Sequence, residues 1–224
     1  MGRSRSLPGL LLLSGLIGCA GPASVPLAYE PTGAAPVALS RPVVAVGGVV
    51  DARGEPAEWL GVATGDPGFP ERSLEAEPAA ARAVRDAFTS ALMARGLLAP
   101  PGRQSFDLAV RVVRLHAGEG LERRAEADFI VTLTRHRGGG GVYTDEVRTS
   151  GVGSGPFSLD TAAYVPVSDV ADLAQRTMNK AIETELDSRG FQAAVHRIRV
   201  TPAKAGVQAG PRMYGIHGFP LSRE

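Results

Sequence analysis

One cysteine, one tryptophan and an aromatic content of only 5% are scant material for 224 residues, and each shortage removes a class of protein. The lone thiol, Cys19, leaves nothing to pair with, so no internal disulfide forms and a hydrophobic core must hold the fold unaided. With 44% hydrophobic residues that is feasible. A net charge of +1 carries no broad field for a polyanion, which argues against a nucleic-acid partner. The four histidines, His116, His136, His196 and His217, lack partners at the two-to-four-residue spacing that builds a zinc site. Gly151-Val152-Gly153-Ser154-Gly155 is out of register for a nucleophile elbow and runs into Pro156 rather than a helix, so it reads as a flexible loop. No catalytic constellation, metal site or cofactor motif emerges, and the chain reads as non-enzymatic. Nor does any stretch approach the roughly 18 apolar residues of a membrane-spanning helix.

What is present begins at the N-terminus. Arg3 and Arg5 precede a short leucine run, and Leu16-Ile17-Gly18-Cys19 has the pattern of a lipobox: apolar and small residues before a cysteine. Residues 1–18 are therefore expected to be a lipoprotein signal peptide, cut so that Cys19 becomes the acylated first residue. Each buried methylene contributes about 0.8 kcal/mol, so a multiply acylated, palmitate-bearing cysteine is a stable membrane anchor. Ala20 stands where aspartate would retain a lipoprotein at the inner membrane, which favours the periplasmic face of the outer membrane.

Residues 19–42 are rich in Pro, Ala and Gly, with Pro22, Pro26, Pro31, Pro36 and Pro42 too closely spaced for a helix or a central strand. They read as an extended tether that holds the body tens of ångströms from the lipid. Residues 43–195 carry regular periodicity. Val43 to Val50 is a run of β-branched and small residues, the pattern of a strand buried on both faces. The stretch from Gly54 to Ala76 is either a binding loop or hides a short strand around Trp59. Val84, Phe88 and Leu92 mark a helix with Pro78 in its first turn and Gly96 at its end. Two alternating segments around Phe106–Val113 and Phe129–Thr134, a Gly138–Gly141 turn and a returning strand from Val142 to Ser150 form a meander. A second helix, capped by Ser168 or Asp169, turns Val170, Leu173, Ala174, Thr177, Met178, Ala181, Ile182 and Leu186 inward and stops at Gly190. The order β-α-β-β-β-α predicts an α+β two-layer sandwich, a mainly antiparallel sheet of about four strands with both helices on one face. Residues 196–224 lose all periodicity and read as a disordered tail.

Binding candidates follow from position. Asp51 and Arg53, at the end of the first strand, could orient a ligand or form an ion pair that pins the following loop. Trp59 and Phe69 sit in the long irregular stretch, and aromatic side chains are enriched at binding hot spots. Arg111, Arg114, Arg123, Arg124, Arg135 and Arg137 lie on or beside the middle strands, where they could meet anionic lipid headgroups or simply solvate an exposed face among Asp107, Glu119, Glu122, Glu126 and Asp128.

The lipobox, Val49-Val50-Asp51-Ala52-Arg53, the Leu60-Gly61 pair and the repeated Leu-x-x-Arg-Gly-apolar helix endings together resemble the YajG-type lipoprotein family over Pro42 to Ala194. That resemblance implies an envelope lipoprotein with an α+β domain similar to those of outer-membrane assembly and transport auxiliary lipoproteins, and it implies no catalytic residues. The expected role is a binding or assembly accessory for an envelope protein; the alternative is an auxiliary subunit of a lipid or envelope transport system. Replacing Cys19 by Ala should shift the chain from the membrane pellet to the soluble fraction on cell fractionation; retention in the pellet at wild-type level would remove the lipid anchor.

Overall fold

The computed structural model describes residues 21–31, 42–63, 71–119, 123–153 and 167–196. The signal segment, Cys19, Ala20, residues 32–41, Phe69 and the chain beyond His196 lie outside them. Three long strands dominate: β5 (Phe106–Glu119), β6 (Arg123–Arg135) and β7 (Gly141–Gly153), paired antiparallel in sequence order. A fourth strand, β2 (Val44–Asp51), lies parallel to β5, giving the sheet order β2-β5-β6-β7. Alternation places Leu108, Val110, Val112, Ala127, Phe129, Val131 and Leu133 on one face, all buried. Between Val112 and Arg114 the register slips by one residue. That bulge absorbs Val113 and lets Leu115 and Ala117, which simple alternation would turn outward, join the same core.

Helices α1 (Ala80–Ala94) and α2 (Val167–Leu186) cover this face, as the α+β two-layer reading expects. Phe88 meets Phe129 edge-on, with ring centroids 6.1 Å apart. Every residue of the stripe expected on α2 is buried, and burying each large aliphatic side chain contributes about 1.5–3 kcal/mol. The end of α1 also behaves as read. Gly96 adopts φ +66°, its N–H bonds to the Met93 carbonyl, and the N–H of buried Leu97 reaches back to Leu92. This is the left-handed cap that only glycine enters without strain.

Several expectations are corrected. Strand β2 is not buried on both faces: it is an edge strand, and Val50 is 60% exposed. Its β-branched run therefore reports strand propensity rather than double burial. Pro78 lies outside α1, with Ala79 at the N-cap and no side-chain cap bond. Ser168 and Asp169 stand inside the first turn of α2 rather than before it, and Asp169 bonds Arg123 at 2.9 Å there. Gly190 does not end α2. Ser188 starts a third helix, α3 (Arg189–His196), and its hydroxyl accepts the Phe191 N–H at 3.1 Å, so the Ser-Arg-Gly-Phe stretch is start chemistry rather than stop chemistry. A Cβ at Gly190 would come within 2.7 Å of the Tyr143 ring, which explains glycine inside a helix. Strand β7 runs on through Gly151 and Gly153, so this glycine stretch is not all loop: a Cβ at Gly151 would collide with Thr177 of α2.

A second sheet completes the body. Strand β3 (Trp59–Ala63) is the short strand considered around Trp59, and β4 (Arg72–Glu77) lies antiparallel to it. The third member, β1 (Ala23–Pro26), pairs parallel with β4 and comes from the segment read as tether. The prolines exclude a central strand but not an edge, and β1 is an edge in the order β1-β4-β3. Gly61 (φ +147°) joins the two sheets: a Cβ there would collide with the Ala117 carbonyl oxygen of β5. Gly61→Ala should therefore cost about 3 kcal/mol in urea unfolding. Gly54→Ala, also at positive φ (+79°) but in open space, should cost about 1 kcal/mol. Equal losses would contradict the tight β3–β5 approach.

Candidate functional site

The sequence candidates fall in three separate places. At the end of β2, the Arg53 side chain is 3% exposed and forms a two-pronged pair with Asp51, Nε to Oδ1 at 2.9 Å and Nη2 to Oδ2 at 2.7 Å. Its remaining N–H groups donate to the carbonyls of Trp59 (2.6 Å), Leu115 (3.2 Å), Ala57 (3.1 Å) and Pro56 (3.3 Å). All three guanidinium nitrogens are thus engaged in fastening the loop between β2 and β3 onto β5. The hydrogen bonds from Arg53 hold the Asp51 carboxyl below the usual carboxylate range. Trp59 is half-buried and tilts against His116, centroids 5.5 Å apart; burial holds that imidazole below its ordinary pKa.

The second place is the face of the four-stranded sheet opposite the helices. Arg111 is exposed there, in register with Val50 of β2 and Ile130 of β6. Beside it Arg114 pairs with Glu126 at 2.8 Å and approaches Asp128 at 3.8 Å, while Arg148 pairs with Glu146 at 2.8 Å. Burial raises the Asp128 carboxyl even on this face. The strands therefore neutralise much of their own charge.

The third place is a cleft of about 1110 Å³ where β5 begins and β6 turns into β7. Arg135 lines it together with Arg103, His136 and Arg137, over a floor that includes Phe106 and Val142. His136, set aside in the sequence as a strand-end residue, bonds Asp107 at 2.8 Å, and Gln104 reaches the same carboxylate at 3.3 Å. Arg103 lies in a loop that the alternation pattern does not reach, so no periodicity could have placed it here. Among the described residues, no cluster of His, Cys, Asp or Glu could hold a metal ion, and no helix is long and apolar enough to cross a membrane.

Buried Asn179, Arg95 and Glu185 escaped the sequence reading, and the last two are ionisable. Arg95 has no exposure and forms a two-pronged pair with Asp187, both contacts at 3.1 Å, while its Nη1 donates to the Tyr29 hydroxyl at 3.1 Å. Glu185 is 1% exposed, and its Oε1 has no hydrogen-bond partner among the described residues. Burial pushes this carboxyl up to about 7, with Tyr143 pulling the other way through a hydrogen bond. Helical periodicity marks position 185 as inward but cannot say how a glutamate survives there.

No protein-family model and no curated protein sequence matches the chain. Its fold is similar to that of the solved protein XCC0632 from Xanthomonas campestris, family DUF330, with a TM-score of 0.55 at 13% identity over 79% of this chain and 98% of that one. Looser overlaps are with lipoprotein GNA1162 from Neisseria meningitidis (TM-score 0.32, 9% identity, 66% and 100% of the two chains) and the hypothetical protein CT253 from Chlamydia trachomatis (0.42, 13%, 70% and 99%). The XCC0632 likeness carries the α+β fold and nothing finer.

The Glu185 environment has a pH signature. An unfolded glutamate ionises near pH ~4.3. Between there and about 7 the unfolded chain releases a proton that the folded chain keeps, so rising pH favours unfolding until the folded group also ionises. Glu185→Gln should remove this loss, stabilising the chain at pH 8 by about 2 kcal/mol and much less at pH 4. A gain of the same size at both pH values would show that the carboxyl is not held neutral.

Proposed function

We propose that this chain is an envelope lipoprotein, anchored through an acylated Cys19 at the periplasmic face of the outer membrane, that acts without catalysis as a binding or assembly accessory for another envelope protein. The YajG-type resemblance supports the address. The observation that carries the role is the uncovered side of the four-stranded sheet. No described helix packs on the face bearing Arg111, Ile130 and Thr144, β3 reaches it only at the far end of β5 through Trp59 on His116, and β7 offers its outer edge to no other described strand. Strands about 4.8 Å apart and up to 13 or 14 residues long give that face an area of roughly 600 Å². This approaches the ~800 Å² per partner of a standard protein interface. An unpaired edge also lets an extended segment add as a further strand. The reading in which basic strands rest on anionic headgroups is weaker, because Arg114 and Arg148 are already paired with neighbouring carboxylates.

The anchor reading also sets the height of the body. Two peptide units separate Cys19 from Gly21, a reach of at most about 7 Å, and Gly21 leads directly into β1, its carbonyl accepting a bond from Arg72 at 3.4 Å. The 19–42 stretch is therefore no long spacer: the body stands at the lipid surface on the end of its smaller sheet. Photo-crosslinking residues placed at Arg111 and Thr144 in intact cells should capture one protein partner, whereas the same group at Arg176, exposed on α2, should capture none. Equal capture from both sides, or none from the sheet face, would contradict the docking role.

A further inference from the structure

The cleft at the start of β5 is built differently from the open sheet face. Arg103, Arg135 and Arg137 line it, and among the described residues no Asp or Glu does and none of the three arginines has an ion-pair partner. The nearby carboxylate, Asp107, is occupied by His136 at 2.8 Å and by Gln104 at 3.3 Å. Guanidinium groups in such a setting present forked donors that match oxyanions in two-pronged fashion. Between Arg137 and Val142 the chain is glycine only, with Gly138 and Gly139 at φ +102° and +63° and open space where their Cβ atoms would stand. No side chain on that turn screens the arginines, and a ligand backbone can come close. Pro42, Pro100 and Val142 supply accessible apolar wall beside the cations, with Phe106 buried beneath. At about 1110 Å³ the cleft exceeds what one small anion fills and matches the upper end of ligand sites.

Position identifies the source of the ligand. Val62 of β3 lies against Gly118 near the end of β5, and the start of β1 lies beyond it across β4. Phe106, at the cleft, is twelve residues from Gly118 along the same strand, a separation of roughly 40 Å. With the lipid at the β1 end, which is the anchor reading above, headgroups of the anchoring membrane cannot reach the arginines. An occupant must come from the aqueous side. We propose that this membrane-distal cleft binds an extended acidic peptide segment of the envelope partner, its carboxylates on Arg103, Arg135 and Arg137 and its apolar side chains on Pro42, Pro100 and Val142.

The test uses the lipidated full-length protein in nanodiscs of phosphatidylcholine and a fluorescent peptide of alternating Glu and Leu, with alternating Lys and Leu as the control. The acidic peptide should bind, weaken as salt rises, and lose at least tenfold in affinity when the exposed Arg103, Arg135 and Arg137 are all changed to Ala, with the unfolding midpoint unchanged. The basic peptide should not bind. Equal affinity for both proteins, or no binding of the acidic peptide, overturns the proposal. So does arginine-dependent binding of phosphatidylglycerol vesicles without binding of the peptide, which would make the cleft a lipid site. The mass of the N-terminal peptide reports acylation of Cys19 separately, so a failed anchor and a failed cleft give different results.

Discussion

A cation with no access to water must be neutralised where it stands, and Arg95 is such a cation. Its guanidinium sits where the end of α1, the junction of α2 with α3 through Asp187, and the N-terminal segment through Tyr29 converge. Asp187 itself stays 57% exposed, so the pair is only half-buried, but Arg95 without its partners would stand uncompensated inside, and these bonds tie the three stretches together beyond their apolar contacts. Tyr29 also approaches Glu183 of α2 at 3.4 Å, which extends the lock along that helix. The consequence reaches the N-terminus: the chain from β1 to Tyr29 is part of the folded body.

That attachment turns a flexible leash into a footing. On the proposed anchoring, a body held by its first strand has a near end, where β1, β3 and β4 would meet the lipid, and a far end, where the meander turns and the arginine-lined cleft opens. Between them the helices cover one side of the larger sheet and leave the other bare. Arg53 makes the arrangement rigid at the join, because its bonds to Asp51, Trp59 and Leu115 couple the end of β2 to both sheets. The proposed division of labour follows from these positions: the smaller sheet faces membrane, the bare face and the β7 edge meet a protein, and the distal cleft takes an acidic segment of it.

Much of the larger sheet was legible because it obeys simple periods. Phe106 to Val112 and Phe129 to Leu133 alternate, Val84-Phe88-Leu92 and the α2 stripe recur every three to four residues, and Gly96 carries the conformational demand of a helix cap. Of the smaller sheet only β3 was legible, as one of two readings of the stretch around Trp59; β1 and β4 were not, because they span only four and six residues and β1 carries Pro26. Short edge strands are specified by tertiary pairing more than by pattern. Gly190 misled because local sequence around a helix end reads alike whether Ser188 closes one helix or opens the next. The candidate arginines illustrate the same limit. Arg53 and Arg135 were both visible at strand ends, yet only the fold separates one whose nitrogens are all engaged by its own loop from one that lines a cleft.

Hydrogen exchange on the mature lipidated protein measures the footing directly. The Ala23–Leu27 segment should be protected well above the rate of an unstructured peptide, since β1 is hydrogen-bonded to β4 and the Leu27 N–H bonds to the Glu77 carbonyl. Exchange of this segment at the unstructured rate, while β5 and β6 stay protected, would mean that the N-terminus is a free tether and that the body has no fixed end toward the membrane.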